Sequence, residues 1–415
     1  MTVDKSNATL KPVQAGQIYR KISPVERSYL YHDKYSEQSM ILNAVVEGHG
    51  EFDLEQWQTA MDKVALVHPG ARLTRAWKLG FSKWRAGEPH IPVTLIEDSL
   101  WNGMGPENAD FLLTRLSPIT GPVCEVLLVK SDKLRIVFRI HHAVSDASGL
   151  RQIIEDAFRI LRGEEPLGSN STIFDVDMLD KVEGPAMPIV PRSAIAPIGP
   201  AKGTSLRHIW LRKKIPVREF KLIPKMMLAI KLASDSFVTD EQNSGDTRIR
   251  LTVDLRRHLP RTLYTTANCS GAFDIFVSCE DTIADLNLQI KNFLRENQEI
   301  PTPPPRLLTA ARWVPTKFHA PYNASILKVH QSGRYQRSGA LTMIGKGEME
   351  KYSAAGFVAE TTFAVPIPLK LLPFFMALWV QKDGVEMVIG MPELLGNDGR
   401  LEQFVNKLDT IVSGL

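Results

Sequence analysis

Cysteine is scarce in this chain: three in 415 residues, Cys124, Cys269 and Cys279, an odd number without CxxC spacing. That usage suggests neither a disulfide framework nor a zinc site, so no metal is expected. Charge of one sign is lacking too. Fifty Lys and Arg against 46 Asp and Glu leave a net +4, too little to make the molecule a nucleic-acid binder on electrostatic grounds. Long apolar runs are missing. The most apolar, Val365–Val380, is interrupted by Pro366, Pro368, Lys370 and Pro373, and is too short to span a bilayer. The first sixteen residues, MTVDKSNATLKPVQAG, contain no apolar h-region and do not read as a signal peptide. The expected setting is cytoplasmic and reducing. No repeat of fixed period is evident.

What is present is an ordinary soluble balance, 44% hydrophobic and 23% charged, on a chain long enough for two or three domains. One stretch organises it, Leu134–Gly163. Leu134, Ile136, Phe138 and Ile140 alternate with other residues at the period of a half-buried strand. Leu150, Ile153, Ile154, Ala157, Phe158 and Leu161 recur at helical spacing, and Gly163 sits where a left-handed stop belongs. Between strand and helix lies a polar loop, His141-His142-Ala143-Val144-Ser145-Asp146-Ala147-Ser148-Gly149. Packed elements on both flanks make a rigid mount for a short functional loop.

This HHxxxDxxG loop resembles the active-site signature of the chloramphenicol-acetyltransferase-like superfamily. That group includes condensation domains of nonribosomal peptide synthetases, BAHD acyltransferases, polyketide-associated acyltransferases and wax-ester synthases. The resemblance implies an α/β (α+β) fold of two lobes, each a mixed sheet with flanking helices, and an active-site tunnel between them. It makes His142 the general base and Asp146 a structural acid facing away from substrate, with His141 orienting the loop; these three are the catalytic candidates. Many members carry glycine directly after the aspartate. Here Ala147 stands there and glycine waits until Gly149, a variant found in some BAHD-type enzymes. The DFGWG string of that branch is absent, as are adenylation, carrier-attachment and thioesterase signatures.

The flanking chain supports the same expectation. Asp53-Leu54-Glu55-Gln56 looks like a capping box, followed by Leu54, Trp57, Met61 and Val64 at helical spacing and a stop at His68-Pro69. The segment from Phe52 to Leu73 is similar to the first-lobe helix of condensation-like proteins. Glu125–Val129 and Leu134–Ile140 read as a hairpin turning at Ser131-Asp132-Lys133. Prolines at 185, 188, 191, 197 and 200 mark a crossover. The expected partition is therefore an N-terminal lobe 1–170, a linker 171–205 and a C-terminal lobe 206–415. Arg207–Lys231 is rich in cations, and three uses compete: a solvated helix face over an apolar stripe, a patch docking the phosphates of coenzyme A or an acidic carrier protein, for which Arg212, Lys213 and Lys214 are candidates, and interfacial membrane contact.

Further on, Thr247–Leu255 alternates as a strand and runs into Asp254-Leu255-Arg256-Arg257-His258-Leu259-Pro260. DLRRHLP resembles the second-lobe segment whose arginine pairs with the loop aspartate, which implies Arg256, with Arg257 as the fallback. A buried carboxylate is costly unless paired, and a bidentate guanidinium would both neutralise it and lock the loop. Asp281 is placed as a helix cap, Pro301–Pro305 as a break, and Phe374–Val380 with Val385–Met391 as a hairpin. Thr342-Met343-Ile344-Gly345 sits where relatives often have Ser/Thr-Asn-x-Gly beside the tunnel, so Thr342 is a candidate oxyanion donor.

The implied activity is acyl transfer from a coenzyme A or phosphopantetheinyl carrier-protein thioester to a hydroxyl or amine acceptor, with no bound cofactor. Two other uses of such a chain stay open: a non-catalytic protein that docks carriers or partners, and a member repurposed for cyclisation or dehydration of a tethered intermediate.

Overall fold

The structure is a computed structural model that describes residues 13–35, 39–78, 81–179, 181–186, 189–218, 220–238, 245–300, 313 and 323–415. The break expected at Pro301–Pro305 lies outside the described residues. Two mixed sheets carry the molecule. The first has the order β12 (Phe357–Val365), β2 (Ile41–Gly50), β7 (Leu134–His141), β6 (Cys124–Lys130), β5 (Val93–Ile96). The second has the order β10 (Ser270–Phe276), β9 (Arg248–Asp254), β11 (Gly339–Lys346), β13 (Phe375–Gln381), β14 (Gly384–Pro392), β8 (His208–Ile215). A small third sheet pairs β1 (Ile18–Lys21), β4 (Lys83–Ala86) and β3 (Leu73–Ala76).

Each large sheet buries one face under helices, as strand alternation and amphipathic helices require. Helices α2 (Leu54–Val67) and α3 (Ala147–Leu161) cover the first; Trp57, Met61, Phe138, Ile153 and Phe158 form its core. Helices α5 (Leu222–Phe237), α6 (Ile283–Arg295), α7 (Asn323–Ser332), α8 (Glu393–Gly396) and α9 (Arg400–Gly414) pack on the second, around Met226, Ile249, Phe273, Leu378 and Phe404. Helix α1 (Pro24–Tyr35) and the short α4 (Asp175–Leu179) border the site described below. The two-lobe reading of mixed sheets with flanking helices is what the structure has.

The lobes are not separate along the chain. Strand β12, within 206–415, pairs antiparallel with β2 in the first sheet. Where the sheets meet, Val45, Val137, Phe363, Trp210 and Val388 make a third apolar cluster. Beside it Arg212 of β8 reaches Glu386 (2.8 Å) and Glu47 of β2 (3.2 Å), and Arg135 of β7 shares Glu47 (2.7 Å). Arg212 is only 6% exposed. This corrects its assignment as a docking residue: it is a buried ion-pair partner bridging the two sheets. Lys213 pairs with Asp409 and Lys214 with Asp383 on the surface.

Arg207–Lys231 is likewise not one solvated helix face. It is strand β8 followed by α5, and the inward-facing Arg212 hides the period-two pattern by placing a charge on the buried face. At α6 the cap is Thr282 rather than Asp281. Thr282 and Asp285 form the reciprocal capping box, while Asp281 accepts from the Ser278 amide.

Candidate active site

The histidine loop leaves β7 under tight backbone control. The His141 amide donates to the Val123 carbonyl (2.8 Å), and the His142 amide donates to the Met40 carbonyl (2.7 Å). Asp146 then caps α3, accepting from the Gly149 amide at 2.8 Å. Gly149 explains itself sterically. A Cβ there would sit 2.5 Å from the Thr266 carbonyl oxygen and 2.4 Å from Ser145 Oγ. Gly149→Ala is therefore expected to destabilise the protein by about 1–3 kcal/mol, read as a drop in denaturant midpoint, because backbone of the second half must move.

Arg256 supplies the counter-charge. Its Nη1 and Nη2 donate to Asp146 Oδ2 (3.1 Å) and Oδ1 (3.0 Å), a two-pronged pair across 110 residues. The Cys269 amide (2.7 Å) and Ser270 Oγ (3.3 Å) also donate to Oδ2. Burial pushes the Asp146 carboxyl up, but the Arg256 guanidinium and the Cys269 and Gly149 amides outweigh it and hold it below the usual range. Arg257, the fallback, is engaged elsewhere with Glu299.

His142 faces a cavity of about 870 Å³ walled by both halves, with Tyr29, Leu42 and Leu150 on one side and Thr252, Ala272 and Trp379 on the other. Its ring stacks on Tyr29, centroids 4.2 Å apart and planes 16° from parallel. Nδ1 lies 3.0 Å from the Ser145 carbonyl and 3.1 Å from Asn268 Oδ1. The Asn268 amide nitrogen donates to the His142 carbonyl (2.8 Å), which turns its oxygen toward the ring. Nδ1 thus meets acceptors only and carries the proton, leaving Nε2 as the lone-pair nitrogen. Burial lowers the imidazole's pKa below 6.5, so the ring is neutral at neutral pH. His141 is fully buried and absent from the cavity wall; its Nδ1 accepts from the Ala143 amide at 3.1 Å, so it shapes the loop. Thr342 lies in the wall on β11, whereas Lys213 and Lys214 do not reach it.

Several residues in or behind the cavity wall escape any sequence pattern. Asn268 lies in an irregular polar run before β10, and Tyr29 looks like one position of an amphipathic helix. Glu26 anchors α1, held by Arg20 (2.6 Å), the Trp84 indole (3.0 Å) and Asn268 (3.4 Å). Asp175 also lines the cavity. Burial, reinforced by the Glu26 charge, pushes its carboxyl up to about 7. Its unfolded value is about 3.9, so stability falls as pH rises from about 4 to 7 and then levels off. Asp175→Asn should match the natural protein near pH 4 and exceed it by about 1–3 kcal/mol at pH 8, measured by denaturant unfolding at both values.

No family model and no curated protein matches the sequence. Solved structures match over nearly its whole length. A variant of the starter condensation domain of rhizomide synthetase, in complex with C8-CoA, is 14% identical; the match covers 96% of this chain and 95% of that one, with a TM-score of 0.61. The fold is that of the condensation domains. Polyketide synthase associated protein 5 from Mycobacterium tuberculosis shares this condensation fold at 13% identity, over 97% and 99% of the two chains, TM-score 0.60. The epimerization domain from the third module of tyrocidine synthetase B matches over 98% of both chains at 12% identity, TM-score 0.59. Among the described residues no helix is long and apolar enough to cross a membrane.

Proposed function

We propose that this protein is an acyltransferase that moves an acyl group from a coenzyme A or carrier-protein thioester to a hydroxyl or amine acceptor, with His142 as general base. The observation that carries the reading is His142 in the wall of a cavity shared by two lobes, with Nδ1 held against two acceptors, the Ser145 carbonyl and Asn268 Oδ1, an arrangement that leaves Nε2 as the basic nitrogen. Nε2 takes the acceptor's proton as the acceptor attacks the thioester carbonyl. The tetrahedral oxyanion, for which Thr342 is the candidate donor, then collapses. The imidazolium returns the proton to the departing thiolate. A thioester requires no covalent enzyme intermediate, so no serine or cysteine nucleophile is needed. Asp146 and Arg256 hold the loop, and His141 shapes it. Alignment of two substrates in one cavity adds to the general-base effect. Of the structures with this fold, the rhizomide domain contains C8-CoA, which supports a coenzyme A donor here. A cytoplasmic setting suits such a donor.

The test is incubation with a panel of acyl-coenzyme A and acyl-carrier donors plus candidate acceptors, following free thiol. Acceptor-dependent thiol release with a matching mass gain on the acceptor is expected. No release with any donor while donors still bind would overturn the reading.

A second use draws support from Asp175, another proton-exchanging group in the same wall. With two such groups, a tethered intermediate could be cyclised or dehydrated without an acceptor. Intact mass of the loaded donor separates this from transfer: loss of water or no mass change, rather than loss of the acyl group.

A further inference from the structure

The cavity floor belongs to the face of the second sheet turned away from its helices, and its chemistry changes from one edge to the other. On β9, Ile249 and Leu251 point into the helical core, while Arg248, Arg250 and Thr252 point into the cavity. Their partners on β10 share that face: Phe276 lies opposite Arg248, Asp274 opposite Arg250, and Ala272 opposite Thr252. Two strands away, β13 turns Phe375, Ala377 and Trp379 to the same floor. One end of the floor is therefore charged, and the other is apolar and aromatic.

The charged end is not self-neutralising. Arg250 Nε donates to Asp274 Oδ1 (2.8 Å), and Arg337 Nε donates to both oxygens of the same carboxylate (2.7 and 2.9 Å). Two guanidinium groups share one carboxylate, leaving a net positive charge in the wall. Arg248 differs, since its guanidinium stacks on Phe276 and donates to the Pro191 and Gln336 carbonyls. Among the described residues, the terminal nitrogens of Arg250 have no hydrogen-bond partner, and Arg337 uses one of its own on Gln336 at 3.4 Å. Burial and the neighbouring Arg337 both disfavour the Arg250 charge, and Asp274 does not fully offset them. Arg250 shares the cavity with Tyr29, the ring stacked on His142.

We propose that Arg250 and Arg337 form an oxyanion-recognition subsite, so that the cavity takes an amphipathic substrate. Its anionic oxygens sit against the two guanidinium forks, and its apolar part lies along β11 and β13. Guanidinium groups with unused planar N–H pairs suit a carboxylate or a phosphate, and partial burial strengthens the contact. The inference rests on the cavity being the substrate cavity. Two sources present this chemistry: a carboxylate on the acyl or acceptor partner, or the phosphate of a pantetheine arm.

Binding calorimetry on the full chain distinguishes them without requiring turnover. One arm compares dodecanoate with 1-dodecanol; the other compares pantetheine 4′-phosphate with pantetheine. In one arm the anionic probe should bind at least about 10-fold more tightly than its neutral counterpart, as expected for hydrogen bonds to a charged group. That preference should disappear in Arg250→Gln and Arg337→Gln and survive in part in Arg250→Lys. The dodecanoate arm responding assigns a carboxylate, and the pantetheine arm responding assigns the donor phosphate. If the natural protein shows no anion preference in either arm, the subsite is overturned, whatever the variants do. The same follows if folded glutamine variants keep an undiminished preference. Because the readout is equilibrium binding and involves no turnover, failure of the acyl-transfer reading would leave this result standing.

Discussion

Alanine at position 142 is expected to lower acceptor-dependent thiol release by about 10²–10⁴-fold, the usual worth of a general base. The far-ultraviolet circular dichroism should be unchanged, because the ring stands at an existing cavity and the loop backbone is held by Val123 and Met40. The pH dependence carries the same signature. Burial lowers the imidazole's pKa, so kcat/KM should be flat through neutrality and fall only as pH drops below 6.5, where Nε2 becomes protonated. Asn268→Ala should reduce the rate by a smaller factor, since the Ser145 carbonyl remains as an acceptor for Nδ1. Undiminished turnover in a folded His142→Ala protein would remove His142 from the chemistry.

Arg256→Ala should cost about 3–5 kcal/mol of stability, the typical penalty for leaving one member of a buried ion pair alone. Asp146 would keep its two backbone amides but lose both guanidinium contacts. The sign of the pH dependence should invert. With Arg256 present the folded carboxyl titrates below its unfolded value of about 3.9, so its contribution is present above that value and lost as pH falls through the folded pKa. Without Arg256, burial dominates and raises the folded pKa. The variant's deficit should then be largest at neutral pH and shrink toward pH 4, where the variant's buried carboxyl is protonated and no charge is left stranded. Denaturant unfolding at pH 7.5 and 4 measures it. A deficit independent of pH would show that the arginine stabilises through packing rather than through its charge. Asp146→Ala combined with Arg256→Ala should cost less than the two single changes added together, because each single change strands a partner.

How far the site was legible depends on where its contacts run. The loop could be read because both flanks have strong local periods and because its HHxxxDxxG string resembles a known active-site signature. The Arg256 pairing was legible through DLRRHLP and the cost of a buried carboxylate. Arg212 misled because a cation in a basic run looks like surface. Only the approach of Glu47 and Glu386 from two other strands shows that it is buried. Asn268, Tyr29, Arg250 and Arg337 carry no local mark, since each acquires its position from a strand register or a helix packing angle set elsewhere.

By itself, then, the amino-acid order marked out the strand–loop–helix unit and, through the resemblance of its HHxxxDxxG and DLRRHLP strings to a known family, the class of fold and the candidates for base, acid and clasp. The unit follows from backbone periodicity, which acts over a few residues; the candidate roles and the fold were implied by the resemblance. The tertiary structure alone decided which imidazole nitrogen is available, which strand of the second half completes the first sheet, and which guanidinium groups lack a partner. Those outcomes depend on side chains more than a hundred residues apart meeting in one low-dielectric space, where hydrogen bonds and charges must be satisfied by whatever is near.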